Sequence, residues 1–241
     1  FINKLEYTMK LSEKTIEVLK NFSNINPNLV VSAGSNLKTI SEAKNIMASA
    51  DITETFENGF GIYDLNEFLS AFNLIDNPTL EFTNNAVKIK GDKTQVEYRF
   101  ANTEILTAPP ANVNMPDCNF EFEFTAEQIG QIKKAASALG HPVLSVSIKE
   151  DNEKSETWVE AKVCDPNNPT ANTFTLDIVS NMNFNGDVSE RMGNEYQFLI
   201  TNLKLINGQN YKVQVSNKLI SSWKCPVAEY WIALEKTSTI G

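Results

Sequence analysis

The sequence predicts an α+β fold of two similar domains, each containing two β-α-β-β-β units. The first observation is a recurring segment in which a short apolar strand, a capping residue, an amphipathic helix and a returning strand follow one another. It begins four times, near residues 10–12, 61–64, 120–125 and 196–201. The second observation is that periodicity disappears between residues 102 and 119, where Ala108-Pro109-Pro110 and Met115-Pro116 predict an extended connector.

These two observations divide the chain. Residues 1–8 are predicted to be an N-terminal extension, because Met9 suits a natural start. Residues 9–101 form the first predicted domain and residues 120–241 the second, joined by a connector at residues 102–119.

Strands are predicted wherever β-branched and aromatic residues recur at short spacing between turn residues. The clearest is Phe120-Glu121-Phe122-Glu123-Phe124, which alternates strictly, as a half-buried strand does. The other predicted strands are residues 29–31, 79–82, 86–90, 94–100, 143–148, 158–163, 174–179, 211–215 and 230–234.

Helices are predicted from their caps. Ser12 and Asp64 precede apolar stripes at helical spacing, and Thr125-Ala126-Glu127-Gln128 has the form of a capping box. Gly140, followed closely by Pro142, ends the third helix. The fourth predicted helix, residues 201–206, is barely longer than one turn.

Composition excludes some classes of protein. The net charge of −9 is unfavourable for tight nucleic-acid binding, which depends largely on phosphate neutralisation. No apolar run approaches the roughly 18–20 residues that a membrane-spanning helix needs. Cys118, Cys164 and Cys225 are too widely spaced for a zinc motif, so free thiols are expected.

Lysines nevertheless concentrate on the polar faces of the predicted helices, when each residue advances 100° around the helix axis. The lysines concerned are Lys10, Lys14 and Lys20 on the first helix, Lys133 and Lys134 on the third and Lys204 on the fourth. Asn21 is predicted on the same polar face of the first helix. The second helix carries no lysine and presents Asn66, Ser70 and Asn73.

Acidic residues concentrate on the strands: Glu54, Glu57, Glu81, Glu97, Glu121, Glu123, Glu156 and Glu160. This segregation predicts a helix-lined surface that tolerates phosphate on an otherwise repelling body. The alternative is that each lysine face is simply solvated.

Enzyme motifs for nucleotide binding, zinc hydrolysis or a nucleophilic serine do not occur. The single histidine, His141, precedes Pro142 in a turn, which is typical of a structural or solvated group. We therefore expect no catalysis, no metal site and no cofactor.

Four motifs occur in order over residues 9–239. They are Met9-Lys10-Leu11-Ser12 with Leu19-Lys20-Asn21-Phe22, Ile62-Tyr63-Asp64-Leu65-Asn66 with Phe68-Leu69, Ile105-Leu106-Thr107-Ala108-Pro109, and Asn202-Leu203-Lys204-Leu205 with Asn210-Tyr211-Lys212. With these motifs the chain resembles the sliding clamps of T-even-like bacteriophages, which are DNA polymerase processivity factors.

The resemblance implies a homotrimeric ring around duplex DNA. Each subunit would contain two DNA-clamp domains, with helices on the inner face and sheets outside. The implied partners are the phage DNA polymerase, an ATP-driven clamp loader and late-transcription factors, all in the cytoplasm of an infected bacterial host. A mildly positive lining suits enclosure without tight binding.

The same resemblance implies two protein-contact sites. The predicted strand at residues 94–100 would contact a neighbouring subunit through Thr94, Val96 and Tyr98. Tyr98 could equally be a residue that packs within its own strand and core. A pocket for short partner peptides would use residues of the connector and the C-terminal strand. Its candidate residues are Ile105, Leu106, Pro109, Val227, Tyr230 and Trp231.

The residues alone leave two other classes of protein as alternatives. The chain could be a non-enzymatic, β-rich viral structural or adaptor protein that does not enclose DNA. A hydrolase with an unrecognised metal site is the weaker alternative.

Overall fold

The computed structural model of the protein describes residues 7–111, 113–151, 153, 156–178, 182–184 and 192–240. The chain forms two compact units, Phe1–Ala111 and Asn112–Gly241. The division between them falls inside the predicted connector at residues 102–119, and the bounds of the two domains stay predictions.

The first unit contains two repeats of the predicted β-α-β-β-β order. The first repeat comprises β1 (Tyr7–Met9), α1 (Glu13–Ile25), β2 (Leu29–Val31), β3 (Gly34–Ile40) and β4 (Ile46–Phe56). The second comprises β5 (Phe60–Ile62), α2 (Leu65–Asn73), β6 (Thr79–Phe82), β7 (Ala86–Lys90) and β8 (Gln95–Arg99). A 3-10 turn at Thr103–Ile105 follows.

The second unit repeats this order. Its first repeat comprises β9 (Phe120–Phe124), α3 (Ala126–Leu139), β10 (Val143–Asp151), β11 (Glu156–Cys164) and β12 (Phe174–Ile178), and the short β13 (Asn183–Phe184) follows. Its second repeat comprises β14 (Glu195–Leu199), a 3-10 turn (Ile200–Asn202), β15 (Tyr211–Ser216), β16 (Ile220–Lys224) and β17 (Glu229–Ala233). The predicted α+β fold of repeated units is confirmed. Val179, the last residue of one predicted strand, lies outside the described residues.

Each unit holds a four-stranded antiparallel sheet with the same internal order. In the first unit the order is β1-β6-β7-β8, and in the second it is β14-β10-β11-β12. In both sheets the last three strands of one repeat are joined by the first strand of the other repeat, which pairs with the nearest of them: β1 with β6, and β14 with β10. The first unit also pairs β3 with β4 and β2 with β5, and the second places β13, β9, β15, β16 and β17 side by side.

Strand β9 shows how the sequence pattern builds the core. Phe120, Phe122 and Phe124 are at most 1% exposed, whereas Glu123 between them is exposed. The ring of Phe124 stacks on that of Trp223 with centroids 5.6 Å apart. Such pairs stabilise a core beyond the area that they bury.

The predicted caps begin the helices. Ser12 Oγ accepts from the Thr15 N–H at the start of α1. Thr125 and Gln128 complete the reciprocal capping box of α3, with distances of 3.2 Å and 2.9 Å. Gly140 ends α3 with a φ of 70°, a left-handed conformation that glycine adopts without steric cost.

Glu54 ties the start of α1 to strand β4. Its carboxylate accepts hydrogen bonds from the Ser12 N–H and from the hydroxyl groups of Thr15 and Thr53. Burial alone would raise the pKa of this carboxyl group, but the hydrogen bonds from Thr15 and Ser12 outweigh that effect and lower it. A residue that the sequence places among the surface acids is therefore a helix anchor.

The fourth predicted helix is wrong. Residues 201–206 contain only the end of the 3-10 turn at Ile200–Asn202. Leu203, Leu205 and Ile206 are all buried, at 3–4% exposed. Burial at 203, 205 and 206 does not match one helical face, so the chain enters the core as an irregular segment.

Two further expectations fail locally. Asn21, predicted on the polar face of α1, is buried at 9% exposed. Tyr7 and Thr8, assigned to the N-terminal extension, belong to β1 and pair with Phe82 and Glu81. The Tyr7 ring stacks on Phe82 with centroids 4.6 Å apart, which explains why the strand begins before Met9.

We expect Glu54→Gln to lower the free energy of unfolding at pH 7 by about 1–3 kcal/mol, the usual contribution of hydrogen bonds to a charged group. The folded pKa of Glu54 lies below the unfolded value of about 4.3. Its contribution is therefore complete above the unfolded pKa and is lost as pH falls through the folded pKa. Urea denaturation at several pH values measures both effects.

The control is Glu42→Gln, a change at an exposed turn residue. A loss of stability for Glu54→Gln that is the same at pH 7 and pH 3 would contradict the role of the charge.

Candidate interaction surfaces

Lys14 and Lys20 lie on α1, but Lys10, which was predicted on this helix, lies between β1 and the capping residue Ser12. Lys10 and Lys20 are exposed, while Lys14 is half-buried. The apolar face beneath them, Val18, Leu19 and Phe22, is at most 3% exposed. The polar face of α1 therefore exists and carries one accessible lysine, Lys20, and Lys10 is accessible just before the helix begins.

On α3 the two predicted lysines differ. Lys134 is exposed, together with Gln131 and Ser137 on the same face. Lys133 is half-buried, and its burial lowers the pKa of the ammonium group. Lys204 is also half-buried, after the 3-10 turn rather than on a helix. Lys133 and Lys204 are thus weaker candidates for a charged surface than the sequence predicts.

The acidic strands carry less free charge than their sequence suggests. Glu81 bonds to both Lys88 and Lys90, and Lys212 lies 2.9 Å from Glu121. Glu97 pairs with Arg99, and Glu160 with Lys149. Since exposed pairs of this kind contribute little stability, their main effect is to soften the local negative potential.

Strand β8 ends its sheet, and within the described residues no strand pairs with its outer side. The Phe100 N–H donates to the Asn85 carbonyl and the Gly91 N–H to the Thr94 carbonyl, each at 2.9 Å. Antiparallel neighbours alternate between hydrogen-bonded and non-hydrogen-bonded pairs. The backbone groups of Gln95, Glu97 and Arg99 therefore point to the open side.

This pattern bears on the predicted interface residues, of which Tyr98 alone is placed in the core, while Thr94 and Val96 stay predictions. The backbones of Thr94, Val96 and Tyr98 bond toward β7, and only Thr94 of the three has an exposed side chain. Tyr98 is 8% exposed, and its hydroxyl donates to the Asp64 carbonyl at 3.0 Å. Its ring also meets Phe68 edge to face. Tyr98 thus anchors the start of α2 in its own unit.

Strand β12 was not predicted to be an edge. Among the described residues it ends the sheet of the second unit as β8 ends that of the first. The strand at the other end of each sheet is less available for pairing with another chain. In the first unit, β1 has three residues. In the second unit, Glu235 and Thr239 donate backbone hydrogen bonds to the outer side of β14. The repeat order could have revealed β12, because it holds the same fourth position as β8.

The connector side of the predicted peptide pocket is partly core. Leu106 is 8% exposed and packs toward Gly61, whereas Ile105 is 70% exposed. Pro109 is half-buried and lines a cavity of about 350 Å³ together with Val30, Ala33 and Lys38. Leu106 therefore belongs to the core, whereas Ile105 and Pro109 remain candidate residues of the peptide pocket.

The C-terminal side is also divided. Tyr230 is fully buried, so it belongs to the core and not to a pocket. Val227 and Trp231 are half-buried. The structure places Ile105 and Pro109 in the first unit and these residues in the second.

The histidine and the three cysteines have ordinary structural surroundings. His141 lies 2.7 Å from the Asn172 carbonyl through Nε2, joining two turns. Cys118, Cys164 and Cys225 are free thiols. Across the described ranges no cluster of His, Cys, Asp or Glu could hold a metal ion. In the same part of the chain, no helix is long and apolar enough to cross a membrane.

Comparison with solved structures defines the class of fold. The chain superposes on the proliferating cell nuclear antigen of A. fulgidus, crystallised with the C-terminal region of FEN-1, with a TM-score of 0.70 and 12% identity. That match covers 97% of this chain and 99% of the other. The Thermococcus kodakaraensis antigen gives a TM-score of 0.67 at 11% identity, over 95% and 99% of the two chains. The fold is that of PCNA-like sliding clamps.

Sequence comparison defines the family. The profile described as DNA polymerase processivity factor matches residues 10–106. The sliding clamp of Vibrio phage KVP40 is 35% identical over 232 residues, which cover 94% of this chain and 99% of the relative. The sliding clamp of Escherichia phage RB69 is 25% identical over 96% and 99% of the two chains. The chain belongs to the sliding clamp family of T4-like phages, and the predicted resemblance is confirmed.

We expect Tyr98→Phe to destabilise the protein by about 1 kcal/mol, because the backbone groups of Asp64 lose their partner. Chemical denaturation measures the difference. Tyr63→Phe is the matched control, since Tyr63 is 67% exposed just before the same helix. Equal stabilities of the two variants would contradict the anchoring role of Tyr98.

Proposed function

We propose that the protein is a homotrimeric ring that encloses duplex DNA and tethers the replicative DNA polymerase. The observation that carries the proposal is the pair of different open sheet edges, β8 and β12, on one chain. In a two-fold dimer a single patch meets its own copy, so β8 would face β8, or β12 would face β12, and the other edge would be left without a partner strand. Two different edges suit head-to-tail contacts, which generate a ring when the rotation closes.

Edge pairing also removes a hazard. An open five-residue strand such as β8 or β12 is a template for uncontrolled pairing. If β8 of one copy adds to β12 of the next, both edges are satisfied. Membership of the sliding clamp family supports a ring of three copies with the helices placed toward the DNA.

The charge distribution supports enclosure over tight binding. Lys20 on α1, Lys134 on α3 and Lys10 just before α1 supply exposed positive charge, while the net charge of the chain is −9. Few phosphate contacts give weak, sequence-independent attraction. A ring stays on DNA by its topology, so weak contacts allow it to slide. In this mechanism the clamp has no active site and no cofactor.

Protein partners would dock on exposed apolar surface near the connector. Ile105 and the cavity beside Pro109 supply such surface in the first unit. The A. fulgidus relative, bound to the C-terminal region of FEN-1, supports docking by a partner's segment. We assign the phage DNA polymerase, an ATP-driven clamp loader and late-transcription factors as partners, in the cytoplasm of the infected bacterium.

We expect Glu97→Pro to convert the trimer to monomers. Proline removes an N–H that points to the open side of β8, so it blocks edge pairing without removing a bond to β7. Sedimentation at micromolar concentration measures the mass, and circular dichroism confirms the fold. Glu97→Ala, which keeps the N–H, should stay trimeric. A trimeric, folded Glu97→Pro protein would contradict pairing through β8.

We expect reversal of Lys10, Lys20 and Lys134 to Glu to shorten retention on circular DNA roughly tenfold, because phosphate attraction becomes repulsion. Single-molecule residence times on nicked circles measure it. The control reverses Lys44, Lys218 and Lys236, exposed lysines that neither lie on a helix nor directly precede α1 or α3, and changes net charge equally. Equal effects of the two triple variants would show that the helix faces do not meet DNA.

A further inference from the structure

The cavity of about 350 Å³ in the first unit lies under residues 107–111, called here the strap. Both ends of the strap are held by side chains of the first repeat. The Thr107 N–H donates to Asn28 Oδ1 at 3.2 Å, and Lys38 Nζ donates to the Ala111 carbonyl. The strap therefore crosses the cavity between two side-chain anchors.

Between the anchors the strap is stiff. Pro109 and Pro110 have fixed φ angles and no N–H groups, so consecutive prolines favour an extended, rigid segment. A stiff segment held at two points moves as one piece when either point is released. The Lys38 anchor is a flexible side chain bonded to a neutral carbonyl, so it is the one that a competing group can exchange.

The lining of the cavity indicates what could compete. Val30, Ala33, Ala108 and Pro109 supply apolar walls, and Ser32, Ser35 and Asn36 supply polar ones. Lys38 is the single charged residue among the described residues that line the space. An ammonium group bonds more strongly to a carboxylate than to a neutral carbonyl. An occupant with an apolar side chain beside a carboxylate complements both parts of the cavity.

We infer that Lys38 is a latch that selects acidic partner segments: a carboxylate on an extended peptide replaces the Ala111 carbonyl, and the strap opens over the peptide's neighbouring apolar side chain. This inference deepens the proposed function and rests on it, since it assumes that partner segments dock beside Pro109. It makes Lys38 a specificity-determining residue of that site. Binding should weaken as salt screens the ion pair.

The test uses the full chain and two fluorescent, end-blocked hexapeptides that differ only in one aspartate or asparagine beside a leucine. Fluorescence anisotropy measures affinity, and amide chemical shifts of Ala33 and Gly34, which line the cavity, report where the peptide binds. The wild-type protein should bind the aspartate peptide about tenfold more tightly, a factor that corresponds to about 1.4 kcal/mol.

Lys38→Gln should abolish this preference, whereas Lys44→Gln, which changes an exposed turn lysine, should keep it. Equal binding of the two peptides to wild type, no binding of either, shifts away from the cavity, or a preference that survives Lys38→Gln would overturn the inference. Sedimentation of the same proteins separates the outcomes. A wild-type monomer would contradict the ring, whereas a trimer without the preference contradicts only the latch.

Discussion

The need of every backbone N–H and C=O group for a partner is the constraint on which the structure depends. Within each four-stranded sheet this need is met by antiparallel neighbours, and at β14 by the C-terminal residues 235–239. It is left open along β8, at Gln95, Glu97 and Arg99. In the proposed ring, the same groups that define the fold would also direct assembly. Because the two open edges, β8 and β12, belong to different units, the assembly they favour is head to tail.

Much of the fold follows from local sequence pattern, as particular elements show. Strand β9 was predictable because large aromatics alternate with glutamates, and α3 because its cap, its apolar stripe and Gly140 agree. Strand β16 was missed because Ser221 and Ser222 are buried there. Their hydroxyl groups are satisfied by the Ile232 carbonyl and by Glu229, contacts between strands that a single segment does not display.

The interaction surfaces were harder to predict, for the same reason. A lysine on a polar helix face is accessible only if neighbouring elements leave it so, and Lys133 is half-buried while Lys134 is not. Tyr98 resembles an interface aromatic in sequence, yet its hydroxyl bonds to Asp64, 34 residues away along the chain. Glu54 likewise looks like surface charge and instead anchors the start of α1 by accepting from Ser12 and Thr15. Tertiary contacts decided each case.

Cross-linking between subunits tests the central claim, that β8 of one copy meets β12 of the next. Cysteines at Glu97 and Thr175, in a Cys118→Ser background, are joined by a short bismaleimide, while Cys164 and Cys225 stay buried. If β8 of one copy meets β12 of the next, the double variant gives a covalent species of three times 26.9 kDa and neither single variant gives a cross-linked species. Covalent dimers from the Glu97→Cys variant alone, or no cross-link from the double variant, would contradict it.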